Sequence, residues 1–167
     1  MIKTDISIAN EQDKYTLDEE KTYNSSVKML ECALNTENII NLSKIDTKKL
    51  KNIKFNADIM FCLDEHIHEL NRNYRGFDKP TDVLSFALFV ENPDAQIIID
   101  NQVSLGEIII SLETTERQAK ENNKTFEEEL NFLLSHGILH LLGFDHPDEE
   151  SLELMLQIQD RLIFNIN

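Results

Sequence analysis

From about residue 126 to 142 the chain reads FEEELNFLLSHGILHLL, and Leu130, Phe132, Leu133, Leu134, Ile138, Leu139, Leu141 and Leu142 leave it apolar on most sides. A helix of that kind belongs in the middle of a fold, covered on every side but one. Thr125 followed by Glu128 is a capping-box pattern that opens it. Gly143 ends it, because glycine takes the left-handed conformation that stops a helix. Whatever else the chain does, it must pack around this segment.

The remaining residues supply a small sheet and further helices. Residues 2–8 alternate as a strand does, and Val27, Leu30 and Leu34 give helical spacing over about 19–35. The Lys-rich stretch 36–53 predicts a connection with one short helical turn. KFNADIMF (54–61) predicts a strand. Asp64 is placed to cap a following helix on which Leu63, Ile67, Leu70 and Tyr74 share a face, with Gly76 and Pro80 forcing a turn. VLSFALFV (83–90) and GEIIIS (106–111) predict central strands, with QIIID (96–100) beside them after a turn at Asn92-Pro93-Asp94. Ser111 caps a helix to about Asn122. Pro147 opens a last helix whose face carries Leu152, Met155, Leu156, Gln159, Leu162 and Ile163. The order predicts an α+β fold: a small mixed β-sheet packed with helices, the central buried helix carrying the histidines, residues 1–167 acting as one domain.

Thirty-one acidic against sixteen basic residues give a formal net charge of −15, which argues against nucleic-acid binding by bulk electrostatics. No run reaches the roughly 20 apolar residues of a membrane span, and the N-terminus lacks the apolar stretch of a secretory signal. Cys32 and Cys62 are far apart and read as reduced, buried thiols. These features predict a cytoplasmic protein with no membrane partner and no small-molecule cofactor.

Three of the five histidines fall in His136-Gly-Ile-Leu-His140-Leu-Leu-Gly143-Phe-Asp-His146. Residues four apart on a helix lie about 40° apart around its axis and about 6 Å along it, so two imidazoles can converge on one ion. Gly143 swings the chain back and brings His146 as a third ligand, leaving a fourth position open. Leaving two imidazoles unsatisfied on a buried helix costs on the order of 1–3 kcal/mol each, and binding one divalent metal accounts for all three together. The spacing is that of a metalloprotease motif whose second residue is the glutamate general base. Here that residue is Gly137, which can neither take nor pass on a proton. A phosphodiester, whose leaving oxygen a metal and an arginine can assist, fits better than a peptide.

The segment Asn71 to Asp82 is where the acidic chain turns basic, with Arg72, Arg75 and Lys79. An arginine fork suits phosphate, although basic residues at a helix end also answer the helix dipole. Asp145, beside the third histidine, either orients an imidazole or caps the last helix. His66 and His68 read as solvent-facing.

HGILHLLGFDH resembles the signature of the YbeY family of bacterial rRNA-maturation endoribonucleases. YRGFDKPTDVLSF resembles that family's second block, and LGEIIIS its following strand, so the resemblance runs from about residue 55 to the C-terminus. It implies a single-strand-specific, metal-dependent endoribonuclease acting at the 3′ end of small-subunit rRNA and in ribosome quality control. Its zinc ligands fall on His136, His140 and His146, and its functional arginine on Arg75. Single-stranded or ribosomal RNA and ribosomal particles or proteins are the implied partners. The chain departs from the family in having Ala87 where proline is frequent, and in its acidity. Three neutral imidazoles suit Zn²⁺, and also nickel, copper or iron. Two other functions stay open on the residues alone: a metal-stapled ribosome assembly factor without catalysis, and a divergent metallopeptidase using Asp145 as base.

Overall fold

GEIIIS carries isoleucines on both faces, so a strand built from it must be covered on both. The computed structural model describes residues 2–45, 52–91 and 99–166 and shows that burial. One four-stranded sheet runs in the order β1 (Lys3–Asn10), β2 (Lys54–Cys62), β4 (Gln102–Ser111), β3 (Val83–Ala87). β1, β2 and β4 are parallel neighbours, and β3 runs antiparallel along β4. Ile108 and Ile110 join the main core, whereas Ile109 points the other way into a smaller cluster with Cys62, Ile67 and Leu84.

Helices α1 (Glu19–Asn35), α2 (Glu37–Ile40), α3 (Asp64–Leu70), α4 (Leu88–Glu91), α5 (Leu112–Glu121), α6 (Phe126–Leu141) and α7 (Glu149–Phe164) cover the sheet. The expected α+β architecture is the one observed. Helix α6 packs against α1, α5 and α7 and against β3 and β4, so the apolar segment is the hub of the fold. Its Thr125–Glu128 capping box forms in both directions. Leu134, Leu139, Leu141 and Leu142 are fully buried. At roughly 1.5–3 kcal/mol for each buried leucine, that packing outweighs the cost of taking two imidazoles inside with them.

Several local expectations change. The strand expected over 83–90 stops at Ala87, and α4 follows. Ala87 pairs with Gly106, where β4 carries an extra residue relative to β2, and this bulge ends the regular ladder. Asp64 does not cap α3, because Leu63 occupies the cap position. The Asp64 carboxylate instead accepts hydrogen bonds from Ser111, Thr114 and Arg117, tying α3 to α5. Beyond Leu70 the helix widens into a π-helical turn, Asn71–Arg75. That rotates Tyr74 out of the buried face, leaving it 70% exposed. On α7 the buried residues are Met155, Ile158, Gln159 and Leu162, while Leu152 and Leu156 stay exposed. The turn at 92–94 and most of the strand expected at 96–100 lie outside the described residues. Of that strand, Ile99 bridges to Gln102. Residues 46–51 of the expected 36–53 connection also lie outside them.

Cys62 is fully buried, and burial pushes its thiol up to about 12. Since the thiolate is the nucleophile, native protein treated with iodoacetamide at pH 8 should leave Cys62 unmodified until denaturant is added. Peptide mass mapping reads this directly, and rapid labelling of native Cys62 would contradict the packing.

Candidate metal centre

His136 and His140 stand one helical turn apart near the end of α6, where the helix emerges from its packing. Gly143, at φ +89°, then reverses the chain. The reversal is held by Gly143 N–H donating to the His140 carbonyl (2.9 Å) and Phe144 N–H to that of Leu139 (3.0 Å). Phe144 is buried at the turn, and two residues later His146 faces the other two rings. Ring centroids lie 4.5, 5.2 and 5.3 Å apart. One nitrogen from each ring lies within 4.8 Å of the others, a group that could hold a metal ion.

The donor arithmetic behind His136 fixes which nitrogen it offers. Gln159, fully buried on α7, donates from Nε2 to the Phe132 carbonyl (3.1 Å) and to Ser135 Oγ (3.2 Å). Ser135 has already given its own proton to the Phe132 carbonyl (2.8 Å). Flipping the amide would set oxygen against oxygen, so Oε1 is the atom that faces His136 Nδ1 at 3.2 Å. Nδ1 therefore carries the proton, and Nε2 turns its lone pair to the cluster, 2.9 Å from His140 Nε2. Burial holds both rings below the ordinary histidine range, His140 to about 4, and the neighbouring rings push the same way. At neutral pH both are uncharged. With the His136 Nε2 lone pair turned inward and a nitrogen of each of the other two rings within reach, the residues fit a divalent ion, which would take the place of the proton shared between His136 and His140.

Gly137 has a second reason to be glycine. A Cβ there would sit 2.7 Å from Ile108 Cγ2 on β4, because the helix lies directly on the sheet at this point. A side chain at 137 would have to displace Ile108, so glycine is also the residue that fits the close packing of α6 on β4.

A cleft of about 460 Å³ opens at the histidines and is also lined by Arg75, Asp82, Ser85, Asp145 and Lys44. Arg75 reaches it from the π-helical turn, with Nη2 donating to the Ser85 carbonyl (3.3 Å) on β3. Asn71 Nδ2 donates to the Lys79 carbonyl (2.8 Å) and holds that basic turn in shape. Asp145 fills neither of its expected roles. Asp148 caps α7, and the Asp145 carboxylate accepts the His146 backbone N–H (2.9 Å), fixing the loop instead of a ring. His66 is exposed and His68 pairs with Asp78, both away from the cleft. Sequence reasoning placed Gln159 on the inner face of α7 without a role and missed Lys44 and Asp82. Only a buried amide on an otherwise apolar face marked Gln159 in advance.

Residues 7–167 match the family model described as endoribonuclease YbeY. The endoribonuclease YbeY of Caldicellulosiruptor saccharolyticus is 37% identical over 162 residues, 95% of this chain and 94% of that protein. That of Synechococcus sp. (strain RCC307) is 48% identical over 114 residues, 68% of this chain and 70% of that protein. The solution structure of TM1509 from Thermotoga maritima superposes with a TM-score of 0.56 at 29% identity, covering 96% of this chain and 88% of that one. Among the described residues, no helix is long and apolar enough to cross a membrane.

Replacing Gln159 by Leu keeps the bulk and frees His136 to choose its tautomer. Chelator competition should then show metal affinity reduced by about 10- to 100-fold, the usual effect of losing a hydrogen bond behind a ligand histidine. Unchanged affinity in folded Gln159→Leu would show that the amide does not orient the ring.

Proposed function

The chain belongs to the endoribonuclease YbeY family, and we propose that it cuts single-stranded RNA at a divalent ion held by His136, His140 and His146. The observation that supports this most is that the three imidazoles and the Arg75 guanidinium open onto one cleft. A divalent ion bound there supplies a Lewis acid and lowers the pKa of water into the neutral range. The protein's own groups supply the rest. Gln159 keeps His136 Nε2 free of its proton, and the Gly143 turn carries His146 to the other two rings. Arg75, at the edge of β3, stabilises the charge that develops on phosphate oxygens. Glycine at 137 leaves no carboxylate at the position a peptidase would need, which weighs against the metallopeptidase.

In this reading Zn²⁺ is the ion, residues 1–167 act as one catalytic domain, and the chain works in the cytoplasm on ribosomal RNA and ribosomal particles. The 3′ end of small-subunit rRNA and the quality control of ribosomes follow from the resemblance of the three sequence blocks. A net charge of −15 favours a second reading, in which the metal staples α6 to the returning loop and the protein assists ribosome assembly without cutting.

Zn²⁺-loaded protein and a labelled single-stranded RNA separate the two. The nuclease reading predicts cleavage that a chelator abolishes, that His140→Ala lacks, and that Arg75→Ala retains with kcat/KM lowered by about 10²- to 10³-fold. Equal trace cleavage by wild type and His140→Ala would sink it. Binding of ribosomal particles by a protein that cuts nothing would support the assembly factor.

A further inference from the structure

Resting on the nuclease reading, we propose that Lys44 is a second phosphate subsite, taking a phosphate of the same RNA strand other than the one at Arg75. Lysines are usually solvated surface charges, and four observations set this one apart. First, it lines the same cleft as the histidines and Arg75. Second, its backbone is fixed on three sides. Lys44 N–H donates to the Leu142 carbonyl (3.0 Å), Ser43 Oγ closes α2 on the Ile40 carbonyl (2.8 Å), and Ile45 is buried in the main core.

Third, its stem lies flat across Gly143. A Cβ on that glycine would fall 2.8–2.9 Å from Lys44 Cβ, Cγ and Cδ, so the aliphatic part is packed beside the loop that leads to His146. The same contact gives Gly143 a steric reason to be glycine in addition to its positive φ. Fourth, among the described residues no carboxylate pairs with Lys44. The acids that share the cleft are engaged elsewhere. Asp82 accepts from the Val83 N–H and from Gln118, and Asp145 from the His146 N–H.

An anchored cation with no acidic partner among the described residues, in a chain of net charge −15, marks a place prepared for an anion. A strand being cut carries a phosphate on each side of the scissile one. Arg75 and Lys44, entering from the π-helical turn and from the segment after α2, give the cleft two cations for such a polyanion. A ligand with a single phosphate needs only one of them.

Lys44→Met keeps the packed stem and removes the charge, and Lys44→Arg keeps the charge. Binding of a short single-stranded RNA to metal-free protein is followed by fluorescence anisotropy from 50 to 200 mM salt. Lys44→Met should bind about fivefold more weakly, with the slope of log affinity against log salt smaller by about 0.7, and Lys44→Arg should match wild type within about twofold. With Zn²⁺, Lys44→Met should raise KM for that RNA by a similar factor at nearly unchanged kcat, and leave a dinucleoside monophosphate unaffected. Equal affinity and equal salt slope in wild type and Lys44→Met overturn the subsite. If wild type binds this RNA but never cuts it, the nuclease reading fails and the binding series still decides Lys44. If wild type does not bind it at all, both fail.

Discussion

Burying α6 is the constraint on which the rest of the molecule depends. The helix must go inside because it has almost no polar surface, and it takes His136 and His140 with it. A buried imidazole needs a partner for each nitrogen, or the fold loses part of what the leucines around it contribute. The structure meets that demand asymmetrically. Gln159 satisfies the outer nitrogen of His136 from α7, and the inner nitrogens of the histidines turn toward one another. A set of lone pairs converging in a half-buried cleft is stable as a polar network only if a cation or a proton joins it. Burial disfavours a charged imidazole, so the same packing that stabilises the fold keeps these nitrogens available to a metal ion.

Electrostatics divides the molecule in two. The chain carries a net charge of −15, while one cleft gathers Arg75 and Lys44 beside the three histidines, with Asp82 and Asp145 on the same walls. A protein built this way gains little from nonspecific attraction along a nucleic acid. It gains instead from a few contacts at the mouth of one site, which suits a nuclease acting where a strand is presented to it. Arg75 can serve there because β3 is an edge strand. Among the described residues its Ser85 carbonyl has no strand neighbour on that side, and it accepts from the guanidinium.

Features set by neighbours in sequence were legible, and features set by neighbours in space were not. The capping box at Thr125, the stop at Gly143, the apolar run of β4 and the three-histidine spacing are local patterns, and each stands in the structure where the residues placed it. Arg75 was legible through the basic turn, although only the fold shows that the turn reaches the same cleft as the histidines. Lys44 could not be read because its significance depends on the bond to Leu142 and the contact with Gly143, nearly a hundred residues away. Asp64 looked like a cap because caps are local, yet Ser111, Thr114 and Arg117 recruit it from another helix. The end of β3 depended on a bulge in β4. Gly137 was read only as the place where the protease motif has its glutamate, and its contact with Ile108 on β4 was set by the fold.

The central claim is that the three imidazoles together hold one divalent ion. Elemental analysis of the purified protein, beside the single variants His136→Ala, His140→Ala and His146→Ala, tests it most directly. One equivalent of metal in wild type and its loss from each folded variant is the predicted result. A full equivalent retained in all three variants, or no metal taken up by wild type dialysed against Zn²⁺, would contradict it.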